Sequence, residues 1–174
     1  MANMNPPAPF SAAKTAWATL EVASVGSLAT LTPDGAPFAT LVLLATDGGG
    51  DIVLLLSRLA AHTRNIAADR RASLLVTAQG GEAGDPLAAA RVTLVGEVDG
   101  DVDGDGRARF LERHPEAARY AGFADFGFYR LRIVSAHLVA GFGRIADLKR
   151  ADIIDAGRQS DGGRTASARP LGGR

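Results

Sequence analysis

The chain has 174 residues, against about 100–200 for a typical domain, which predicts one domain with enough length to bury a core. Nineteen basic residues balance nineteen acidic ones, so there is no strong cationic field and no nucleic-acid partner is expected. Hydrophobic residues at 47% with 22% charged exclude general disorder, while the absence of cysteine excludes disulfides, thiolate metal sites and a Cys nucleophile and fits a cytoplasmic location.

In chain order, the first ten residues read as a flexible N-terminus, and residues 11–150 as one folded domain. The opening MANMNPPAPF lacks a signal-peptide pattern, and no apolar run reaches the ~18 residues of a membrane span, so no membrane association is expected. Ser11 is placed to cap a helix whose apolar face is Ala13, Ala16, Trp17, Leu20 and Ala23. SLATLT, the turn Pro33-Asp34-Gly35 and PFATLVLLAT predict a hairpin over residues 27–46, and IVLLLS at 52–57 a third strand of an antiparallel meander. RLAAHTRNIAADR changes period and predicts a helix of about two turns. ASLLVTA at 72–78 and RVTLVGEV at 91–98 resume strands across a Gly-rich loop, and 107–121 is helical with Pro115 restarting a helix after His114. FGFYRLRIV and AHLVAGF read as strands six and seven. From about 151 to 174 the composition shifts to Gly, Arg and Ser, which predicts a disordered tail. Six or seven antiparallel strands with few helices to cover them close most simply into a mainly β fold, a β-barrel with peripheral helices.

Most motif matches fail on chemistry. Asp99-Gly-Asp101-Val-Asp103-Gly104-Asp105 resembles the start of a calcium loop, but its twelfth position is Phe110 where a bidentate Glu is needed. Gly141-Phe-Gly143-Arg-Ile-Ala146 fits a dinucleotide-binding string but lacks the helix and second parallel strand that such a turn requires. His62, His114 and His137 share no metal-ligand spacing, and His114 reads as sitting on an exposed helix, so no metal site is expected. The informative stretch is Ser57-Arg58-Leu59-Ala60-Ala61-His62-Thr63-Arg64-Asn65. It sets hydroxyl, imidazole, guanidinium and amide groups where a strand passes into a helix N-terminus, which favours an anion. The plainer alternative is that Thr63 caps the helix and the arginines lie in solvent.

These residues, with LATLTPDGAPFATLVLLA before them and GDPLAAARVTLVGEV and HLVAGFGR after, resemble the FMN-binding split barrels related to pyridoxamine phosphate oxidase, in the branch that includes haem-utilisation proteins. The resemblance runs from about Leu28 to Arg144. It implies a six- to seven-stranded split barrel that dimerises and holds FMN at the subunit interface. Ser57, Arg58, His62, Thr63 and Asn65 would contact the phosphate, the backbone around Thr40, Leu41 and Val42 would line the isoalloxazine, and Arg91 would lie near the flavin. A phosphate dianion would favour protonated His62, and Arg58 would add a charge that does not titrate. The implied function is electron transfer through the flavin, with haem binding or degradation, or a non-catalytic flavin carrier or sensor, as alternatives. The oxidase has Arg where Thr40 stands and Lys where Ala45 and His62 stand, and its substrate-binding residues near the C-terminus have no counterpart, so vitamin B6 oxidation is not expected. Haem-degrading relatives ligate iron through a C-terminal histidine; here no histidine follows His137.

Overall fold

The computed structural model describes residues 9–78, 85, 87–100, 102, 104–141 and 143–167. Most of the expected flexible N-terminus, most of the Gly-rich loop, Asp101, Asp103, Phe142 and the last seven residues lie outside these. Helix α1 (Ala12–Val22) starts where Ser11 Oγ accepts the Lys14 amide, and it delivers Ala16, Trp17 and Leu20 to the core. Strands β1 (Val25–Leu31) and β2 (Pro37–Thr46) form the expected hairpin in continuous register from Leu31↔Pro37 to Val25↔Leu43. Then come β3 (Ile52–Ser57), helix α2 (Ala61–Ala68), β4 (Arg71–Thr77) and β5 (Ala90–Gly100). Helix α3 (Asp105–Arg113) and a 3-10 helix (Pro115–Arg119), with Pro115 at its start, precede β6 (Phe126–Ala140), β7 (Ile145–Lys149) and α4 (Arg150–Ser167). No helix among the described residues is long and apolar enough to cross a membrane.

The strands run in the order β3-β2-β1-β4-β5-β6-β7, and β3 also pairs with β6. Six antiparallel strands therefore close on themselves and β7 is appended outside, which leaves β1 to β6 without a free edge. Leu28, Leu54, Leu74, Leu94, Leu131 and Leu138 fill the interior, with Trp17 and Leu20 of α1 packed among them. Strand β3 is apolar on both faces because it serves two cores. Ile52, Leu54 and Leu56 face the barrel, while Val53 and Leu55 face a second cluster built on Phe110 and Phe128.

Two expectations are corrected. FGFYRLRIV and AHLVAGF are one strand, β6, because β5 pairs with both halves, and a bulge opposite Val95 and Gly96 absorbs the extra residue, Val134. Strand seven is instead β7, reached through a turn in which Gly141 and Gly143 have φ of 76° and 73°. Second, residues 151–167 are helical where a disordered tail is expected. Ile153 and Ala156 are buried in the main core, and Gly157 packs on the Trp17 ring. This narrow stripe at three-residue spacing is masked by polar neighbours in composition.

At the bulge, a Cβ on Gly96 would run into the carbonyl oxygen of Arg132 on β6, and backbone cannot step aside as a flexible side chain would. Gly96→Ala is expected to cost on the order of 3 kcal/mol of stability, read as a lowered urea midpoint. An unchanged midpoint would show that the bulge tolerates a side chain.

Candidate functional site

The corner where β3 passes into α2 is built by its own polar side chains. Thr63 is buried and its hydroxyl donates to the Ser57 carbonyl at 2.7 Å, tying helix to strand. The helix cap position is Ala60, with no side-chain cap bond, so Thr63 does not cap α2. Asn65 is also buried; its amide donates to Thr30 Oγ1 at 3.0 Å and anchors α2 on β1. Ser57 Oγ donates to Asp125 Oδ2 at 3.1 Å. Arg58 is exposed and turns away: its amide donates to the Asp125 carbonyl at 2.6 Å and its guanidinium to the Ala124 carbonyl at 3.2 Å.

His62 behaves differently. Its Nδ1 lies 2.9 Å from Thr40 Oγ1 on β2, while its Nε2 is sheltered from solvent and has no hydrogen-bond partner. Burial lowers its pKa from the ordinary 6.5, since the charged form loses hydration. The half-buried ring is therefore neutral near pH 7. The stability that depends on its neutral form is present above the unfolded-state value and is lost as pH falls through the lower folded value. We expect the His62 ring signals to titrate below 6.5 by NMR; a midpoint above 6.5 would contradict this electrostatic picture.

Beside His62 lies a groove of about 340 Å³, within the size range of small-molecule sites. Leu41, Val42 and Leu43 of β2 form one wall, and Leu55, Leu56 and Ser57 of β3 another. Ala60 and His62 close one end, with Tyr120 and Phe126 as aromatic lining, their ring centroids 5.0 Å apart. No Lys or Arg among the described residues lines it. A second groove of about 460 Å³ is lined by Arg58, Thr63, Arg64, Arg70, Asp99 and Tyr129, among others; there Asp99 pairs with Arg70, and also with Arg132.

Of the nine residues expected at the site, Leu41, Val42, Ser57 and His62 meet at the first groove, joined by Thr40 through its bond to His62. Arg58 and Thr63 border the second groove, and Asn65 is occupied with Thr30. Arg91 pairs with Val139 near one end of β6, whereas Ser57 pairs with Phe126 at the other, roughly 40 Å of strand away at ~3.3 Å per residue. Sequence reasoning missed Tyr120, Asp125 and Phe126. The only signal was the aromatic cluster FADFGFY at the start of β6.

The remaining histidines are engaged elsewhere. His114 is corrected from exposed to 7% exposed: its Nε2 is 2.8 Å from the Leu44 carbonyl and its ring sits on Phe110. His137 pairs with Asp147 at 2.7 Å on the outer strand pair β6–β7. Asp99, first of the calcium-like series, is taken up by its arginines. No group of three or more metal-ligating side chains occurs among the described residues.

A closed six-stranded antiparallel barrel with a groove at the β3–α2 corner defines a split barrel. Residues 7–154 match the family described as "CREG, beta-barrel", and the chain belongs to that family. The chain is 32% identical over 113 residues to the chloroplastic non-canonical heme oxygenase HOZ of Arabidopsis thaliana, a match covering 62% of this chain and 33% of that protein. It thus spans about a third of the curated relative's length. The structure is similar to that of a heme binding protein from Mycobacterium smegmatis, with a TM-score of 0.78 and 36% identity over 84% of this chain and 61% of that one. The fold alone is shared with a protein of the pyridoxinephosphate oxidase family from Clostridium acetobutylicum, related to general stress protein 26, with a TM-score of 0.61 and 14% identity over 81% and 96% of the two chains.

Proposed function

We propose that the groove between β2, β3 and α2 holds a planar, largely apolar cofactor, and that this cofactor is haem. The observation that carries the reading is the groove's chemistry: aliphatic walls from two strands, two aromatic rings and no cationic side chain. A macrocycle with a broad apolar face is matched by such a lining. Two of the relatives above 30% identity are named as a heme oxygenase and a heme binding protein, which supports the same reading. Bound haem would supply iron-centred redox chemistry. The chain's own part would be to bury one face against Leu43, Leu55 and Phe126 and to exclude water from it.

Two contacts weigh against an FMN phosphate at this corner. The carboxylate of Asp125 already accepts from Ser57, so a dianion brought to Ser57 would meet a like charge, and Arg58 points to Ala124. Burial also lowers the His62 pKa, which disfavours its charged form. One observation favours a flavin as second reading: Arg58, Arg64 and Arg70 line the neighbouring groove, where a phosphate could sit against guanidinium groups.

Titration of the purified protein with haemin and with FMN, beside an Ala60→Trp variant that fills the groove, tests these readings. Haemin binding weakened at least about ten-fold by Ala60→Trp is expected. Haemin binding indifferent to Ala60→Trp would remove the groove from the account, and FMN binding tighter than haemin would transfer it to the flavin reading.

The homodimer is proposed on surface chemistry. Leu41 and Leu59 beside the groove are 72% and 74% exposed, an apolar rim suited to cover by a second copy. Arg91 could join this groove only from such a copy, given its place on the barrel. Light scattering should give a dimer mass that falls to the monomer's in Leu41→Asp/Leu59→Asp. A monomeric parent chain would contradict this.

A further inference from the structure

We propose that His62 is the axial ligand through which this chain holds haem iron, with Thr40 as its positioning residue; the inference rests on the haem reading of the groove. The imidazole lines the groove, and its Nε2, sheltered from water, has no hydrogen-bond partner among the described residues. A buried polar nitrogen left without a partner is uncommon and calls for an explanation. A metal bound through that nitrogen provides one.

The other ring nitrogen is already arranged for that task. Thr40 Oγ1 lies 2.9 Å from Nδ1, and in the tautomer whose Nδ1–H donates to that hydroxyl oxygen, Nε2 carries the bare lone pair a metal needs. Ligating histidines typically have their second nitrogen held in this way, which sets the ring's orientation and raises its basicity. The hydroxyl and the imidazole come from different elements, β2 and α2, so the pair is set by the barrel rather than by local sequence.

Competing donors are few. Cysteine is absent from the chain and both methionines stand at positions 1 and 4. His114 is bound to Leu44, and His137 lies on the outer strand pair with Asp147. Among the described residues of the groove Tyr120 is the rival, since phenolate can also ligate haem iron. Its ring is packed against Phe126, whereas His62 presents a nitrogen with nothing else to bind. The ligand thus comes from the start of α2 rather than from the C-terminal region where the sequence resemblance would seek it.

The test is spectroscopic. Ferric haem complexes of the parent chain, His62→Ala, His62→Gln and Tyr120→Phe are compared by Soret position and electron paramagnetic resonance, with circular dichroism to establish that each variant is folded. The parent and Tyr120→Phe should share a histidine-ligated signature. Both His62 variants should lose it and bind haemin at least about ten-fold more weakly. Added imidazole should restore the signature in His62→Ala. Thr40→Val should keep the ligation but lower the iron–histidine stretching frequency of the ferrous complex, which a purely structural role for Thr40 would not move. Folded His62 variants with the parent's spectrum, or loss of that spectrum in Tyr120→Phe, would overturn the assignment while leaving haem binding intact. A parent chain that binds no haemin would instead overturn the underlying reading.

Discussion

Replacing Asp51 by Ala should destabilise the barrel by about 3 kcal/mol, toward the lower end of the range for breaking a buried ion pair. Asp51 stands just before β3 and is 6% exposed. Its Oδ1 accepts the Ile133 amide of β6 at 3.0 Å, and the Arg150 guanidinium grips both carboxylate oxygens, with Nη2 2.9 Å from Oδ2. Arg150 also donates to the Ile133 carbonyl at 3.2 Å. One carboxylate thus joins the start of β3, the middle of β6 and the start of α4. Its hydrogen bonds and charge raise the Arg150 pKa. Without it, the Ile133 N–H loses its acceptor and the guanidinium loses its carboxylate partner, keeping the Ile133 carbonyl. The effect sits at the lower end because the Arg150 side chain keeps 36% of its surface in water. Urea unfolding followed by circular dichroism measures the loss; a change below about 1 kcal/mol would show that the three elements are held by apolar packing alone.

Phe110→Ala should cost about 3–5 kcal/mol, the range for deleting a fully buried aromatic ring. Phe110 is 0% exposed, with the His114 ring centroid at 4.7 Å and the Phe128 ring edge-on at 5.6 Å. It packs between α3 and the outward face of β3, with Val53 and Leu55 in the same cluster. The same cluster includes Leu55, with Tyr120 and Phe126 packed against it, and these three also line the groove. A cavity there would loosen the groove wall, so haemin affinity should fall alongside stability. If stability falls and haemin affinity does not, the groove is rigid without this cluster.

Much of the barrel could be read from local pattern. The Pro33-Asp34-Gly35 turn sets the β1–β2 hairpin, and the apolar run IVLLLS marks β3 as the third strand. Barrel closure has no local signal of its own, because it depends on Ser57↔Phe126 and Ile52↔Leu131, pairs distant in sequence. Ser135, the single residue between FGFYRLRIV and AHLVAGF, reads as a break, yet β6 continues through it because β5 supplies hydrogen bonds on either side of the bulge. Helix α4 was hidden because so few of its residues, Ile153 and Ala156 among them, face the core.

The site divides in the same way. Ser57 and His62 stand out as hydroxyl and imidazole at a strand–helix join, and Leu41 and Val42 follow from the resemblance. Their use was not readable. Asp125, which occupies Ser57, and Tyr120 and Phe126, which give the groove its aromatic lining, arrive from more than fifty residues away. His114 looked exposed because its neighbours in sequence are charged, whereas its ring slots between Phe110 and the Leu44 carbonyl.

The most direct measurement is methyl NMR of the protein with ferric haem added, whose unpaired electrons broaden nearby signals. Methyl signals of Leu41, Val42, Leu43, Leu55 and Ala60, all bordering the groove, should broaden first. Selective broadening of Ala29, Val95 and Val134, which line a separate apolar hollow on the barrel wall, would place the cofactor elsewhere and contradict the account.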